Sequence, residues 1–420
     1  MNPFRFVHAG DLHLDSPQRT LADLNDPRAD VLREASRRAF TEVVAEAIRR
    51  DVDAVLIAGD LWDGDWRDVS AGLFVQDKLA ELADHRIAAV AILGNHDAES
   101  AVTSRVREVP HLHLLPSNAP ASVDLGGAVV HGQSFAQPAV LENLAQNYPD
   151  AWPGRINIGL LYTALEGDAR HAPYAPCSLA DLAARGYHYW ALGHVHQRQI
   201  VREGTPADGG TVAYCGVLQG RDIGETGVKG AWYGEATLGG VSLTPIDLPF
   251  VVWERLRVDM AGSADPLATI GAAVDELRGK LDQAVGLCVV RVELVGESAL
   301  HDGLPLRAQE LRERAEEAMG SAGRLMLERV KIATRPVPGG DAPKLPAGFD
   351  ADLMAAAQDD AVRNAARTAV AEVLGELNAE AKAALKAAYP DLAQLVDGGE
   401  LRPLLDDAAH RLARRIVDER

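Results

Sequence analysis

The chain has 420 residues, with 47% apolar and 25% charged side chains, the balance of a folded globular protein rather than a disordered or fibrous one. Its net charge of -19 gives no support to a bulk electrostatic grip on long duplex DNA, and a small or locally bound phosphate substrate fits as easily. No segment escapes this: residues 1–250 carry 20 basic against 32 acidic side chains, 251–335 carry 12 against 14, and 336–420 carry 10 against 15. Cys177, Cys215 and Cys288 are too scattered for a zinc signature or a disulfide framework, so reduced, interior thiols are expected. The N-terminus lacks a basic segment followed by an apolar stretch, and no run approaches the length of a membrane span. The expectation is a cytoplasmic protein with no membrane partner.

Phe4 to Ala9 opens the chain as a strand that stops at Gly10-Asp11-Leu12-His13. Asp30 to Arg50 places Val31, Ala35, Ala39, Val43, Ala47 and Ile48 at helical spacing, with one face to bury. A strand from Ala54 reaches Gly59-Asp60, and the following loop, Leu61 to Trp66, carries two tryptophans and two more carboxylates. Asp68 to Ala83 reads as a second helix, and Ile87 to Leu93 is an apolar run too short for an ordinary helix, ending at Gly94-Asn95-His96-Asp97. Strand, helix, strand, helix, strand is the rhythm of a parallel sheet covered by helices.

Beyond His111 short runs alternate with glycines. Ala121 to Leu125 and Ala128 to His131, split by Gly126-Gly127, form a hairpin, and Thr211 to Tyr214, Ala231 to Thr237 and Val241 to Leu248 read as antiparallel strands. Ile156 to Tyr162 and Tyr187 to Leu192 are further apolar runs ending at polar residues. Residues 1–250 thus read as two packed sheets with helices outside. Residues 251–334 read as a compact β-α-β-α-β module. Residues 335–349 form a linker, with four prolines and three glycines between Arg335 and Gly348. Residues 350–420 are rich in Ala, Leu, Glu and Arg and predict a helical tail. Its Leu353, Ala357, Ala361, Ala365, Ala369 and Val373 make a face that could dock on a partner or pack back on the chain.

Four times the chain repeats one design: an apolar run, a glycine, then carboxylate, imidazole or carboxamide. The instances end at Asp11 and His13, at Asp60, at Asn95, His96 and Asp97, and at Gly193-His194-Val195-His196. Ligands bind at the carboxyl ends of strands in open α/β sheets, so four such ends point to one metal site. Oxygen and imidazole donors together suit manganese, iron or zinc rather than copper or an iron-sulfur cluster. Asp60, central among these ends, is the natural bridge between two ions that clamp a phosphate and activate water. His96, adjacent to a ligand, is a candidate acid for the leaving group or a further ligand.

Asp11-Leu12-His13, Gly59-Asp60, Gly94-Asn95-His96-Asp97 and Gly193-His194-Val195-His196, in this order, resemble the signature of the calcineurin-like metallophosphoesterases. The surrounding Gly10 to Asp15 and Gly59 to Gly64, with the αβ unit that follows, are most similar to SbcD-type DNA repair exonucleases of the YhaO-like branch, over roughly residues 1–335. The resemblance implies a four-layer α/β/β/α sandwich with a small α+β capping domain, here followed by the helical tail. It implies a manganese-dependent exonuclease in which Asp11, His13, Asp60 and His196 hold one ion and Asp60, Asn95 and His194 the other, with His96 on the scissile phosphate. DNA and an SbcC-like coiled-coil ATPase are the implied partners, and a homodimer is a third expectation.

A phosphatase or nucleotide phosphodiesterase would use the same chemistry, and a weakly catalytic scaffold subunit of the ATPase is the alternative of another class. One position departs from the family pattern, which places a histidine at the end of the strand before the last motif. This chain has Tyr162 there. A phenol titrates near 10, about 3 units above neutrality, so ligation would first have to remove its proton. The second ion is therefore expected to be weakly held.

Overall fold

A computed structural model describes residues 3–16, 28–62, 69–99, 112–165, 172–321 and 323–337. In chain order the elements begin β1 (Phe4–Ala9), α1 (Arg28–Arg49), β2 (Ala54–Ala58), α2 (Val69–Asp84), β3 (Ala88–Ile92), α3 (Asn95–Glu99), β4 (Leu112–Leu114), β5 (Ala121–Asp124) and β6 (Ala128–Gly132). They continue with β7 (Ile156–Tyr162), α4 (Leu179–Ala183), β8 (Tyr189–Gly193), β9 (Gln199–Arg202), β10 (Thr211–Tyr214), β11 (Gly230–Thr237) and β12 (Gly240–Asp247).

Two six-stranded sheets result, ordered β12-β11-β1-β2-β3-β4 and β5-β6-β7-β8-β10-β9. Strands β1 to β4 are mutually parallel, as are β6, β7, β8 and β10, so each sheet gathers several strand ends on one edge. The period-two alternation of the sequence decides which core each side chain enters. Ala54, Leu56 and Ala58 point between the sheets with Phe4, Phe6, Val90, Ile92, Val130, Ile158, Leu160 and Tyr189. Val55 and Ile57 point the other way, with Val7 and Ala9, against Phe40, Val43, Val44, Val75, Leu79 and Leu82 of the helices. On the far side Leu182 of α4 and Leu144 and Ala145 of a one-turn 3₁₀ segment cover the second sheet. The layers are helix, sheet, sheet, helix.

Helix α1 buries Ala29, Leu32, Ala35, Ala39, Phe40, Val43, Val44 and Ala47 on one stripe, and its Asp30 and Arg49 sit at the ends where the helix dipole favours them. The hairpin of β5 and β6 forms at Gly126-Gly127 as the sequence indicates. Strands β11 and β12 are antiparallel, but β10 corrects the antiparallel reading of Thr211 to Tyr214. It runs parallel to β8 and antiparallel only to β9. Its composition marks a buried strand without saying which neighbour it joins.

Residues 251–334 hold β13 (Val251–Asp259), α5 (Pro266–Lys280), β14 (Leu287–Val295), α6 (Ala308–Met319) and β15 (Leu325–Ile332), with sheet order β13-β14-β15. The chain divides into two compact units. The first comprises Met1–Val258, Leu267–Glu293 and Leu311–Lys331, so most of the small module shares a unit with the large sheets. There Val251, Trp253, Leu287, Val289 and Met326 form one buried cluster with Leu32 and Ala35 of α1 and with Ile223. The second unit takes Asp259–Pro266, Leu294–Glu310 and the described residues 332–337, and within it Ser298 donates from its backbone to Arg335 O at 2.9 Å. The linker beyond 337, the helical tail with its Leu353 to Val373 face, and the 63–68 part of the tryptophan loop lie outside the described residues. Among the described residues no helix is long and apolar enough to cross a membrane.

Candidate metal centre

Each predicted site residue leaves a strand by a sharp turn. Asp11 follows β1, with its amide donating to Gly59 O at 2.9 Å, and His13 donates to Asp60 O at 3.0 Å, so the first two motifs are stitched backbone to backbone. Asp11, His13, Asp60 and His194 all take positive φ, of 45, 42, 50 and 94°. Side chains other than glycine rarely occupy that region, and such geometry persists where surrounding contacts over-determine it. The glycines explain how the turns approach so closely. A Cβ on Gly94 would collide with Asp60 Oδ1, and one on Gly59 would lie 2.6 Å from the Tyr162 ring.

The first cluster joins Asp11, His13 and His196, whose donor atoms lie within 4.8 Å of one another. His13 Nε2 and His196 Nε2 are 3.3 Å apart, and His13 Nε2 is 3.7 Å from Asp60 Oδ2. His196 Nδ1 lies 2.6 Å from Glu225 Oε1, so a proton on Nδ1 bonds the carboxylate and leaves Nε2 a lone pair facing His13. Arg221 reinforces Glu225, its Nη2 donating to Oε1 at 3.1 Å and its backbone N–H to Oε2 at 2.8 Å. Burial alone would raise Glu225, but the His196 hydrogen bond and the Arg221 charge outweigh it and hold the carboxyl well below its usual range.

A second, overlapping cluster joins His13, Asp60 and His96 within the same 4.8 Å. His96 is half-buried, its ring edge-on to His13 with centroids 5.0 Å apart, and its backbone N–H donates to Asp60 Oδ1 at 3.1 Å. Asp97 sits beside it but serves the backbone: its carboxylate accepts from Trp62 N at 3.1 Å and Gly94 N at 3.0 Å, fixing the Gly94 turn.

The sheets meet across the centre. His194 donates its backbone N–H to both oxygens of Asp11, at 3.2 and 3.0 Å. Tyr162, at the end of β7, brings its hydroxyl to 2.6 Å from Asp60 Oδ2, 2.5 Å from Asn95 Oδ1 and 3.2 Å from His194 Nδ1. His194 Nε2 is within 3.0 Å of Ala172 O, so its proton belongs on that side.

The crowding has an electrostatic signature. Burial pushes Asp11 up to about 8 and Asp97 up to about 6. It raises Asp60 well above the carboxylate range, with the nearby Asp97 and Asp11 charges adding to the rise. Buried carboxylates that resist ionisation beside converging imidazole lone pairs are the donor chemistry a divalent cation satisfies. The residues around Asp11, His13, Asp60 and His196 fit such an ion. The set Asp60, Asn95 and His194 is a poorer fit, because the Tyr162 hydroxyl already contacts all three.

Known proteins resemble this chain in sequence. The calcineurin-like phosphoesterase family pattern matches residues 4–198. The chain belongs to the calcineurin-like metallophosphoesterases. More particularly, the pattern of the middle domain of metallophosphoesterase YhaO matches residues 253–335. The chain is 32% identical over 296 residues to the uncharacterized metallophosphoesterase YhaO of Bacillus subtilis, covering 69% of this chain and 71% of that protein. It is also 27% identical over 203 residues to the DNA double-strand break repair protein Mre11 of Sulfolobus acidocaldarius, covering 46% of this chain and 50% of the relative. For Mre11 of Haloferax volcanii the figures are 26% over 317 residues, 70% and 62%.

Sequence reasoning missed Glu225 and Arg221. They lie in a loop between β10 and β11 that carries no apolar run ending in a glycine, and Arg221-Asp-Ile-Gly-Glu225 reads as an ordinary polar turn. The only available signal was its place just downstream of the last metal motif.

Proposed function

We propose that this metallophosphoesterase hydrolyses phosphodiester bonds in DNA as a metal-dependent exonuclease. The observation that carries the chemistry is the convergence of Asp11, His13 and His196 on one point, with Asp60 alongside. Similarity to relatives named for DNA double-strand break repair supports DNA as the substrate. In this reading Asp11, His13, Asp60 and His196 hold a divalent ion, manganese being the natural candidate for mixed oxygen and imidazole donors. The ion supplies Lewis acidity toward phosphate and water. Glu225 keeps His196 in the tautomer that faces inward, Asp97 holds the Gly94 turn, and half-exposed His96 donates a proton to the leaving oxygen. We further assign residues 251–334 as a capping domain, an SbcC-like ATPase as a partner, and the cytoplasm as the location.

One observation favours a second reading. The net charge of -19 suits a small nucleotide diester at least as well as long DNA. Digestion in manganese of linear DNA, a nucleotide phosphodiester and a phosphomonoester by the same preparation tests the choice. Release of nucleotides from DNA ends at the highest rate is the expected result. Faster turnover of either small substrate, with DNA untouched, would overturn the nuclease reading.

A further inference from the structure

The Tyr162 hydroxyl is enclosed by the three side chains that remain for a second ion once Asp11, His13 and His196 are assigned to the first. Its oxygen is 2.5 Å from Asn95 Oδ1, 2.6 Å from Asp60 Oδ2 and 3.2 Å from His194 Nδ1. A divalent ion would need the same three lone pairs at about 2.0–2.2 Å. Phenol and ion therefore compete for one set of donors. The ring is not placed to swing aside: it is buried, with Gly59 and Gly94 packed against its edge so closely that a Cβ on either would lie 2.6 or 2.7 Å from it. Phe135 packs edge-on against it with centroids 5.1 Å apart. On the other side His194 is anchored, its Nε2 3.0 Å from Ala172 O and its backbone N–H on Asp11.

We propose that Tyr162 takes the place of the second ion, so that this chain builds a one-ion centre at Asp11, His13, Asp60 and His196. The inference rests on the metal-centre reading above. A neutral phenol donates its single proton to Asp60 and so occupies the oxygen lone pair that a bridging carboxylate would offer a second cation. Asn95 Oδ1 and His194 Nδ1 then face the phenol oxygen instead of a cation.

Equilibrium dialysis of the EDTA-stripped full-length chain against manganese, read by metal analysis and by electron paramagnetic resonance, tests this without reference to turnover. The native protein is expected to take up one ion per chain with the spectrum of an isolated manganese. Tyr162→His, which offers a lone pair without a proton to remove, is expected to take up two and to show exchange coupling between them. Tyr162→Phe, which removes the hydroxyl and frees the same three donors, is expected to take up a second ion, more weakly than Tyr162→His. Two tightly held ions in the native protein would overturn the proposal, and a fall from two to one in Tyr162→Phe would identify the phenol as a ligand instead. No ion in any of the three proteins would overturn the metal-centre reading beneath it, and the one-ion centre with it.

Discussion

The two halves of the centre differ in what their donors face. Around His13 and His196, imidazole nitrogens and carboxylate oxygens face one another, and the protons of the outer ring nitrogen are drawn away by groups such as Glu225. Around Asn95 and His194 the same kinds of donor face a hydroxyl, which supplies a proton and bulk together. Both halves come from the same sequence design, a strand, a glycine and a ligand-type residue. The difference lies in one side chain at the end of β7, and it teaches that a motif fixes where donors go while the neighbour facing them decides whether a cation enters.

The strongest way to break this comparison is to remove the carboxylate common to both halves. Asp60→Asn is expected to abolish manganese-dependent hydrolysis and lower metal content while the protein still melts cooperatively. Unchanged turnover in that variant would contradict the role of Asp60.

Next in size is His96, which is half-exposed where His13 and Asp60 beside it are buried. His96→Ala is expected to keep its manganese and lose roughly 10²- to 10⁴-fold in diester cleavage, the usual worth of a positioned proton donor. Loss of metal in this variant would make His96 a ligand, as its place in the cluster with His13 and Asp60 also allows.

A smaller effect is expected behind the first half of the centre. Glu225→Gln keeps the size of the side chain but weakens the charge-assisted bond to His196 Nδ1, and a loss of about 10- to 100-fold in manganese affinity is the usual cost of such a change. Calorimetric titration with manganese reads it directly, and an unchanged affinity would remove Glu225 from the centre.

The smallest effect concerns pH. Asp11 and Asp97 are raised by burial to about 8 and about 6, above the ordinary carboxylate value. From the ordinary carboxylate value up to those two values, each of these groups holds a proton in the metal-free folded protein that it has lost in the unfolded chain. Their contribution to stability is lost as pH rises to about 6 for Asp97 and about 8 for Asp11, by up to about 1.4 kcal/mol per pH unit for each group, while buried His8, lowered to about 3, acts in the opposite sense until it is neutral in both states. Manganese competes with those same protons, so the stabilisation it adds should grow with pH. Thermal melts of stripped and manganese-loaded protein across this range check both signs. A stripped protein that grows more stable from pH 7 to 8, where the buried histidines are neutral folded or unfolded, would contradict the assignment.

Much of this was legible in the sequence because it rests on local chemistry. Short apolar runs ending in glycine gave β1, β2, β3 and β8 their ends, and of the residues after them Asp11, His13, Asp60, His96 and His196 come together in two overlapping clusters. Alternation along Ala54 to Ala58 encoded the two cores. What was not legible depends on partners distant in the chain. The parallel pairing of β10 with β8 is a choice of neighbour that composition does not carry. Glu225 acquires its role only because β8 and the loop after β10 meet in space, and Asp97 looked like a ligand until its carboxylate met the backbone of Trp62 and Gly94. Tyr162 lay between these cases. Its position at the strand end was readable, but its simultaneous contact with Asp60, Asn95 and His194 was not.

The most direct test of the central claim is anomalous diffraction at the manganese edge from crystals of the full-length chain grown with that ion. The account predicts a strong peak about 2.0–2.3 Å from donor atoms of Asp11, His13, Asp60 and His196. A chain that binds manganese with no peak among those four residues would contradict it.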